Sequence, residues 1–80
     1  MKLPVVKKLV NDHSMEQLEA AENAILEEAA PVIDVEGEDE GEQLTHVMAA
    51  IWIKREMEAN DLPLNKAMRD YTVKVRNSIS

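Results

Sequence analysis

Apolar side chains recur at helical spacing in several stretches of this 80-residue chain. In the first stretch, residues 3–11, Val6, Leu9 and Val10 share one helical face. Pro4 fits the first position of a helix, because its missing N–H would be unpaired there. A short strand is the alternative, since valine is β-branched. The spacing, with two lysines on the opposite face, favours a short helix.

The clearest predicted helix lies within residues 12–30. Ser14 and Gln17 have the spacing of a capping box, in which each side chain hydrogen-bonds to the other residue's backbone. Pro31 disfavours helical geometry at Ala30, so the helix should end there. Its core-facing side is predicted from the residues at helical spacing: Leu18, Ala21, Ile25 and Ala29, flanked by Met15 and Leu26.

A long helix is predicted over residues 43–60. One face, assigned to the core of the monomer, carries Leu44, Val47, Met48 and Ile51. The opposite side is also apolar, with Ala49, Ala50, Ile53 and Met57, and Trp52 lies at the flank. A helix that is apolar all round is normally buried on more than one side.

The last predicted helix begins near Pro63. Its apolar face repeats at helical spacing and consists of Leu64, Met68, Tyr71, Val75 and Ile79, widened by Ala67. Four basic residues line the rest of this helix: Lys66, Arg69, Lys74 and Arg76. These patterns together predict an all-α fold, a single domain over residues 1–80 with three longer helices, a short N-terminal helix and an acidic loop at residues 31–42.

The small size of the chain favours self-association. A domain of this length buries only about 60% of its unfolded surface, so its core is marginal without a partner subunit or another support. We therefore expect a homo-oligomer, with the small bundle completed by dimerisation. The candidate self-association interface is Ala49, Ala50, Trp52, Ile53 and Met57. A central helix buried within its own monomer is the alternative.

Charge is distributed unevenly along the chain, whose net charge is −7. Residues 12–42 carry twelve acids and no lysine or arginine, whereas both flanking segments are net basic. Nucleic-acid binding is disfavoured, because it depends on a basic surface that neutralises phosphates. We expect instead a basic protein partner, or pairing of the last helix with the Ser14 helix in the same chain or in another subunit.

The acidic stretch VEGEDEGE, residues 35–42, raises the question of a cation site. A calcium loop of the EF-hand kind needs a bidentate glutamate at its twelfth position. A loop starting at Glu36 has Val47 at this position, and one starting at Asp34 has Thr45. We therefore interpret the loop as a solvated tether, and keep a weak divalent-cation-binding regulator as an alternative.

Catalytic and metal-binding motifs have little support. The chain has no cysteine and no nucleophile or phosphate-cradling motif, so we expect no enzyme activity and no cofactor. Glu42 and His46 are one helical turn apart, yet the Glu-x-x-His pattern of di-metal bundles does not occur. We expect no metal at either His13 or His46.

No membrane segment or signal peptide is expected. The longest apolar run, VMAAIWI, has seven residues, against about 20 needed to span a bilayer. Lys7 and Lys8 interrupt the apolar residues near the start, unlike a secretory signal. We expect a cytoplasmic protein.

Three segments carry a family resemblance: the opening MKLPVVKKLV, SMEQLEAA from Ser14 to Ala21, and the closing LNKAMRDYTVKV. They resemble a family of short, uncharacterised bacterial proteins of unknown function, encoded near thioredoxin and peroxiredoxin genes. The resemblance implies an accessory role beside a thiol redox system. Without cysteine, the chain could bind such a system but could not exchange disulfides itself.

The leading prediction is a non-enzymatic, self-associating interaction module. The alternative is an acidic adaptor for a protein partner, such as one of a thioredoxin or peroxiredoxin system. An adaptor would show an exposed apolar patch rimmed by acids.

Overall fold

The computed structural model describes the backbone of residues 1–79 and the side chains of residues 1–78. Within these residues the chain forms four helices and no strand, which confirms the all-α prediction and excludes the alternative of an N-terminal strand. The helices are α1, Leu3–Asp12; α2, Met15–Leu26; α3, Glu40–Asn60; and α4, Leu64–Ile79. The predicted place of the Ile79 side chain on the apolar face of α4 lies outside the described side chains.

The start of α2 agrees with the predicted capping box. The hydroxyl of Ser14 accepts a hydrogen bond from the N–H of Gln17, and the Gln17 side chain accepts one from the N–H of Ser14. The helix ends at Leu26, earlier than predicted, because Glu28 adopts a left-handed conformation with φ 60°. The N–H of Glu28 then bonds to the carbonyl of Ile25, and that of Ala29 to Ala24, as in a Schellman motif. Ala29, predicted in the core, is exposed.

The start of α3 lies earlier than predicted, so the acidic loop is shorter than residues 31–42. A carboxylate oxygen of Asp39 accepts a hydrogen bond of 2.8 Å from the N–H of Glu42 and caps the helix. Glu40 and Glu42 in the first turn are favoured by the positive end of the helix dipole. Gly41 therefore lies within the first turn of α3.

The long helix α3 is the centre of the bundle, and α1, α2 and α4 each pack against it. Buried apolar residues from the helices and from Val35 form one core: Val6, Leu9, Val10, Leu18, Ala21, Ile25, Val35, Val47, Ala49, Ala50, Ile51, Ile53 and Ala67. Three sides of α3 are covered in this way by the chain's own helices. No helix within the described residues is long and apolar enough to cross a membrane.

The side of α3 assigned to self-association is covered within the single chain. Ala49, Ala50 and Ile53 have no exposed surface, so the assignment of Ile53 to a face away from the monomer core is wrong. Met48, assigned to that core, is instead 51% exposed. The physical reason is that α1 packs against this face of α3. His46 lies seven positions before Ile53 on the same helical face, and it contacts the start of α1.

The acidic helix α2 and the basic helix α4 pack at different sides of α3. Each has its extensive contact with α3, and no comparable contact joins α2 to α4. The prediction that they are neighbours in one chain is therefore wrong. Arg55 of α3 forms a charge pair with α2, to Glu19 at 3.9 Å. Contact between these helices in different subunits stays a prediction.

Candidate functional site

A buried histidine fixes the acidic segment, residues 31–39 before the start of α3, to the bundle. His46 has no exposed surface, and its Nε2 atom accepts a hydrogen bond of 2.9 Å from the backbone N–H of Lys2. Since Nε2 is an acceptor, the proton of the neutral ring lies on Nδ1, which donates to the carbonyl of Glu36 at 2.8 Å. The ring thus joins the start of α1, the acidic segment and α3.

Two further side chains of α3 hold the acidic segment. The amide of Gln43 donates to the carbonyl of Val35, whose side chain is buried in the core. The carboxylate of Glu42 accepts from the N–H of Glu38 at 2.8 Å, and this hydrogen bond lowers the pKa of Glu42. The segment is therefore fastened at several points along its length, rather than being a free tether.

Gly37 permits this close packing. A β-carbon at this position would lie 2.8 Å from both Cγ and the backbone nitrogen of Gln43. A side chain here would force the segment away from α3. Gly41, in contrast, has room for a β-carbon, whose nearest neighbour would be an Asp39 oxygen at 3.4 Å.

The carboxylates of the segment do not form a metal-binding cluster. Across the described residues, no three His, Cys, Asp or Glu side chains are placed to hold a metal ion. Asp39 and Glu42 are instead used to accept hydrogen bonds from backbone N–H groups.

An apolar groove lies between α2 and the chain that follows it. Its volume is about 140 Å³, and it is lined by Gln17, Ala20, Ala21, Ala24, Val32 and Ile33. The small alanines leave the groove open, while Ile33 packs against the core and fixes its floor. Val32, beside it, is fully exposed. In the isolated chain, the exposed Val32 side chain therefore does not gain the favourable free energy of burial.

The groove lies in the most acidic part of the molecule. Glu16 and Glu27 are exposed and share the helical side of Ala20, at separations of four and seven residues. Asp34, also exposed, follows directly after Ile33. Sequence reasoning missed this site, because Val32 lies in an irregular segment whose path is not visible from periodicity. An unexplained apolar residue among acids was the available signal.

A second cleft, of about 220 Å³, separates α1 from the acidic segment. It is lined by Val5, Lys8, Leu9, Asp12, His13, Asp34 and Glu36, and so carries both signs of charge. Beneath this end of α1, the ammonium group of Lys54 donates to the carbonyls of Val10 and His13 at 3.2 and 2.9 Å. The lysine thereby satisfies carbonyls at the negative end of the helix dipole.

The two aromatic residues of the chain meet between α3 and α4. The rings of Trp52 and Tyr71 have centroids 5.5 Å apart and are tilted by 55°, and the Lys74 ammonium lies 5.9 Å from the Trp52 centroid. Partial burial raises the pKa of Tyr71. Trp52 and Met57, both predicted in the self-association interface, are half-buried and pack against the core.

Comparison with known proteins gives one match. The model of a family of unknown function, DUF6952, matches residues 1–80, which confirms the resemblance to a family of unknown function. No curated protein and no solved structure matches the chain.

Proposed function

Since the chain belongs to the DUF6952 family of unknown function, we propose its role from surface chemistry: a non-catalytic adaptor that binds a basic segment of a protein partner. The observation that carries the proposal is the exposed Val32 beside the alanine groove of α2, within an acidic surface. The partner would place an aliphatic side chain in the groove and basic side chains around it.

The apolar part of the surface supports binding rather than a structural role. An exposed valine contributes nothing to the core, and covering an aliphatic side chain of this size is worth about 1.5–3 kcal/mol before the cost of association. The groove floor is fixed by Ile33 and by the hydrogen bonds that hold Val35 and Glu36 to α3. Because the groove is preformed, less conformational entropy is lost when a partner binds.

Charge determines the kind of partner. Residues 12–42 contain twelve acids and no lysine or arginine, so the groove lies in a negative field that attracts a cationic segment. Nucleic acids and acidic peptides would be repelled. Rim charges of this kind act mostly on the association rate and weaken with salt.

The non-catalytic assignment rests on the roles already occupied by the polar side chains. His46 is enclosed and uses both ring nitrogens in structural hydrogen bonds. Ser14 and Asp39 are helix caps.

A thiol redox partner is compatible with this mode of binding. The family resemblance implies such a system, and the chain has no cysteine with which to exchange disulfides. A thioredoxin-like or peroxiredoxin-like partner would therefore be bound through its basic surface and would keep its own cysteines.

The proposal is tested by affinity capture from the native cell with Val32→Asp and Val73→Asp variants. Both valines are exposed, Val73 lying on α4, so neither change should unfold the chain. We expect the wild type and Val73→Asp to retain a common partner, and Val32→Asp to lose it. Moderate salt should release this partner from the wild type. Identical captured proteins for both variants would refute the groove as the binding site.

A second matched pair tests the charge. Glu27 is exposed and shares the helical side of the groove residue Ala20, whereas Glu58, also exposed, lies near the end of α3. The pair of variants is Glu27→Lys and Glu58→Lys. We expect the first variant to slow partner association and the second to leave it unchanged.

A further inference from the structure

One strip of α3 is left uncovered by the chain's own helices. Contacts to α1 from His46 and Lys54, to α2 from Arg55 and to α4 from Trp52 define three covered sectors around the helix. At 100° per residue, Met48 lies between the sectors of α2 and α4. The exposed residues of this open sector are Gly41, Thr45, Met48 and Ala59, with Arg55 at its α2 border and Trp52 at its α4 border.

The borders of this strip carry opposite charges. On the α2 side, Glu19 meets Arg55, and Glu22 and Leu26 follow at helical spacing on the same side of α2. Leu26 is 61% exposed. On the α4 side, Lys74 lies over the Trp52 ring. The exposed Met48 thus lies at the middle of the strip, between an acidic border at Glu19 and Glu22, where Arg55 pairs with Glu19, and a basic border at Lys74.

We infer that a second copy of the chain occupies this strip, forming a two-fold dimer with parallel α3 helices. A two-fold axis along α3 places α2 of each subunit opposite α4 of the other, so Glu22 faces the partner copy's basic border. An axis across α3 would instead place α2 against α2, with like charges opposed. Charge complementarity between Glu22 and Lys74 therefore favours a second copy of the chain in the parallel orientation.

An interface of standard size would cover a modest fraction of the accessible surface of the chain. A standard interface covers about 800 Å² per partner, about 15% of the 5217 Å² accessible surface of the chain. The 21 residues of α3 span about 31 Å. Met48 and Leu26 provide the exposed aliphatic side chains that become buried. The alanine groove lies on the other side of α2 and stays open in the dimer.

This dimer differs from the one expected from sequence. It keeps α3 and Trp52 in the interface but replaces the enclosed Ala49, Ala50 and Ile53 by Met48 and its neighbours. It also satisfies the expected pairing of acidic and basic helices, between subunits rather than within one chain.

Sedimentation equilibrium tests the dimer. At tens of micromolar the wild type should be dimeric, Met48→Glu monomeric with unchanged helical circular dichroism, and Val73→Glu still dimeric. Met48 and Val73 are similarly exposed, so the two variants are matched in their effect on folding. A monomeric wild type, or equal dissociation of both variants, would overturn the inference.

A charge-exchange experiment tests the orientation. Glu22→Lys and Lys74→Glu alone should each weaken self-association at least tenfold, because each places like charges across the interface. An equimolar mixture of the two variants should form a mixed dimer, in which every α2–α4 contact again joins opposite charges. A mixture that stays monomeric, or single variants that dimerise like the wild type, would overturn the parallel arrangement.

Discussion

The Nε2 atom of His46 accepts a hydrogen bond from the backbone N–H of Lys2, 44 positions away in sequence, over 2.9 Å. This contact satisfies an N–H at the start of α1, where helices have unpaired donors. The same ring donates to Glu36, so one buried side chain sets the positions of α1 and the acidic segment relative to α3.

We predict that His46→Leu lowers the free energy of unfolding by about 2–4 kcal/mol, because it leaves the Lys2 N–H and the Glu36 carbonyl without their partner. His13→Leu is the control, since the His13 side chain is only half-buried, and it should change stability by less than about 0.5 kcal/mol. Urea unfolding followed by circular dichroism measures both. Equal stability of the two variants would contradict the role given to His46.

Neighbouring cations on α3 should differ in their contributions. Lys54→Met removes two hydrogen bonds to the carboxyl end of α1 and should cost about 1–2 kcal/mol. Arg55→Met removes only an exposed pair with Glu19 at 3.9 Å and should cost less than about 0.5 kcal/mol. Thermal melts of both variants at one salt concentration check the order, and a larger loss for Arg55→Met would contradict it.

The two glycines should respond oppositely to alanine. Gly37→Ala places a β-carbon 2.8 Å from the backbone of Gln43 and should destabilise the chain by about 1–3 kcal/mol. Gly41→Ala, in the first turn of α3, should be neutral or stabilising by up to about 1 kcal/mol, because it reduces the freedom of the unfolded chain. Chemical unfolding of the two single variants measures the difference; a stable Gly37→Ala chain would mean that the acidic segment is not held against α3.

Alkaline stability should depend on Tyr71. Partial burial raises the folded-state pKa of this phenol above its value in the unfolded chain. The contribution of Tyr71 to the free energy of unfolding is therefore fully present below the unfolded pKa of about 10, and it is lost as the pH rises through the folded pKa. Ultraviolet absorbance of tyrosinate reports this single tyrosine, and its midpoint should lie above that of the urea-unfolded chain. In Tyr71→Phe the corresponding loss of stability should disappear. A folded midpoint at or below the unfolded one would refute the burial argument.

Local patterns in the sequence were sufficient for the helices, but not for their arrangement. The Ser14–Gln17 capping box depends on residues three positions apart and could be read directly. The long helix is apolar all round, so periodicity could not tell which side faces its neighbours. The pattern places Ile53 on an outer face and Met48 in the core, whereas the structure buries Ile53 and exposes Met48. The difference arises because the positions of α1 and α4 depend on long-range contacts.

The groove was hidden for a related reason. Ala20 and Ala24 look like ordinary helix formers, and their role appears only when Val32 and Ile33 lie beside them. The return of this segment along α2 is fixed by the hydrogen bonds from Gln43 and His46. Neither hydrogen bond could be predicted from the sequence. The helical pattern around Gln43 and His46 does not distinguish a side chain that holds a distant segment from an ordinary polar residue of a helix.

The most direct test of the adaptor is the amide NMR spectrum of the nitrogen-labelled chain, recorded while adding the captured partner that Val32→Asp fails to retain. We predict that the largest shifts occur at Ala20, Ala24, Val32 and Ile33, and that they diminish as salt is raised. Largest shifts on α1 or α4, with the groove unchanged, would contradict binding of the partner in the groove.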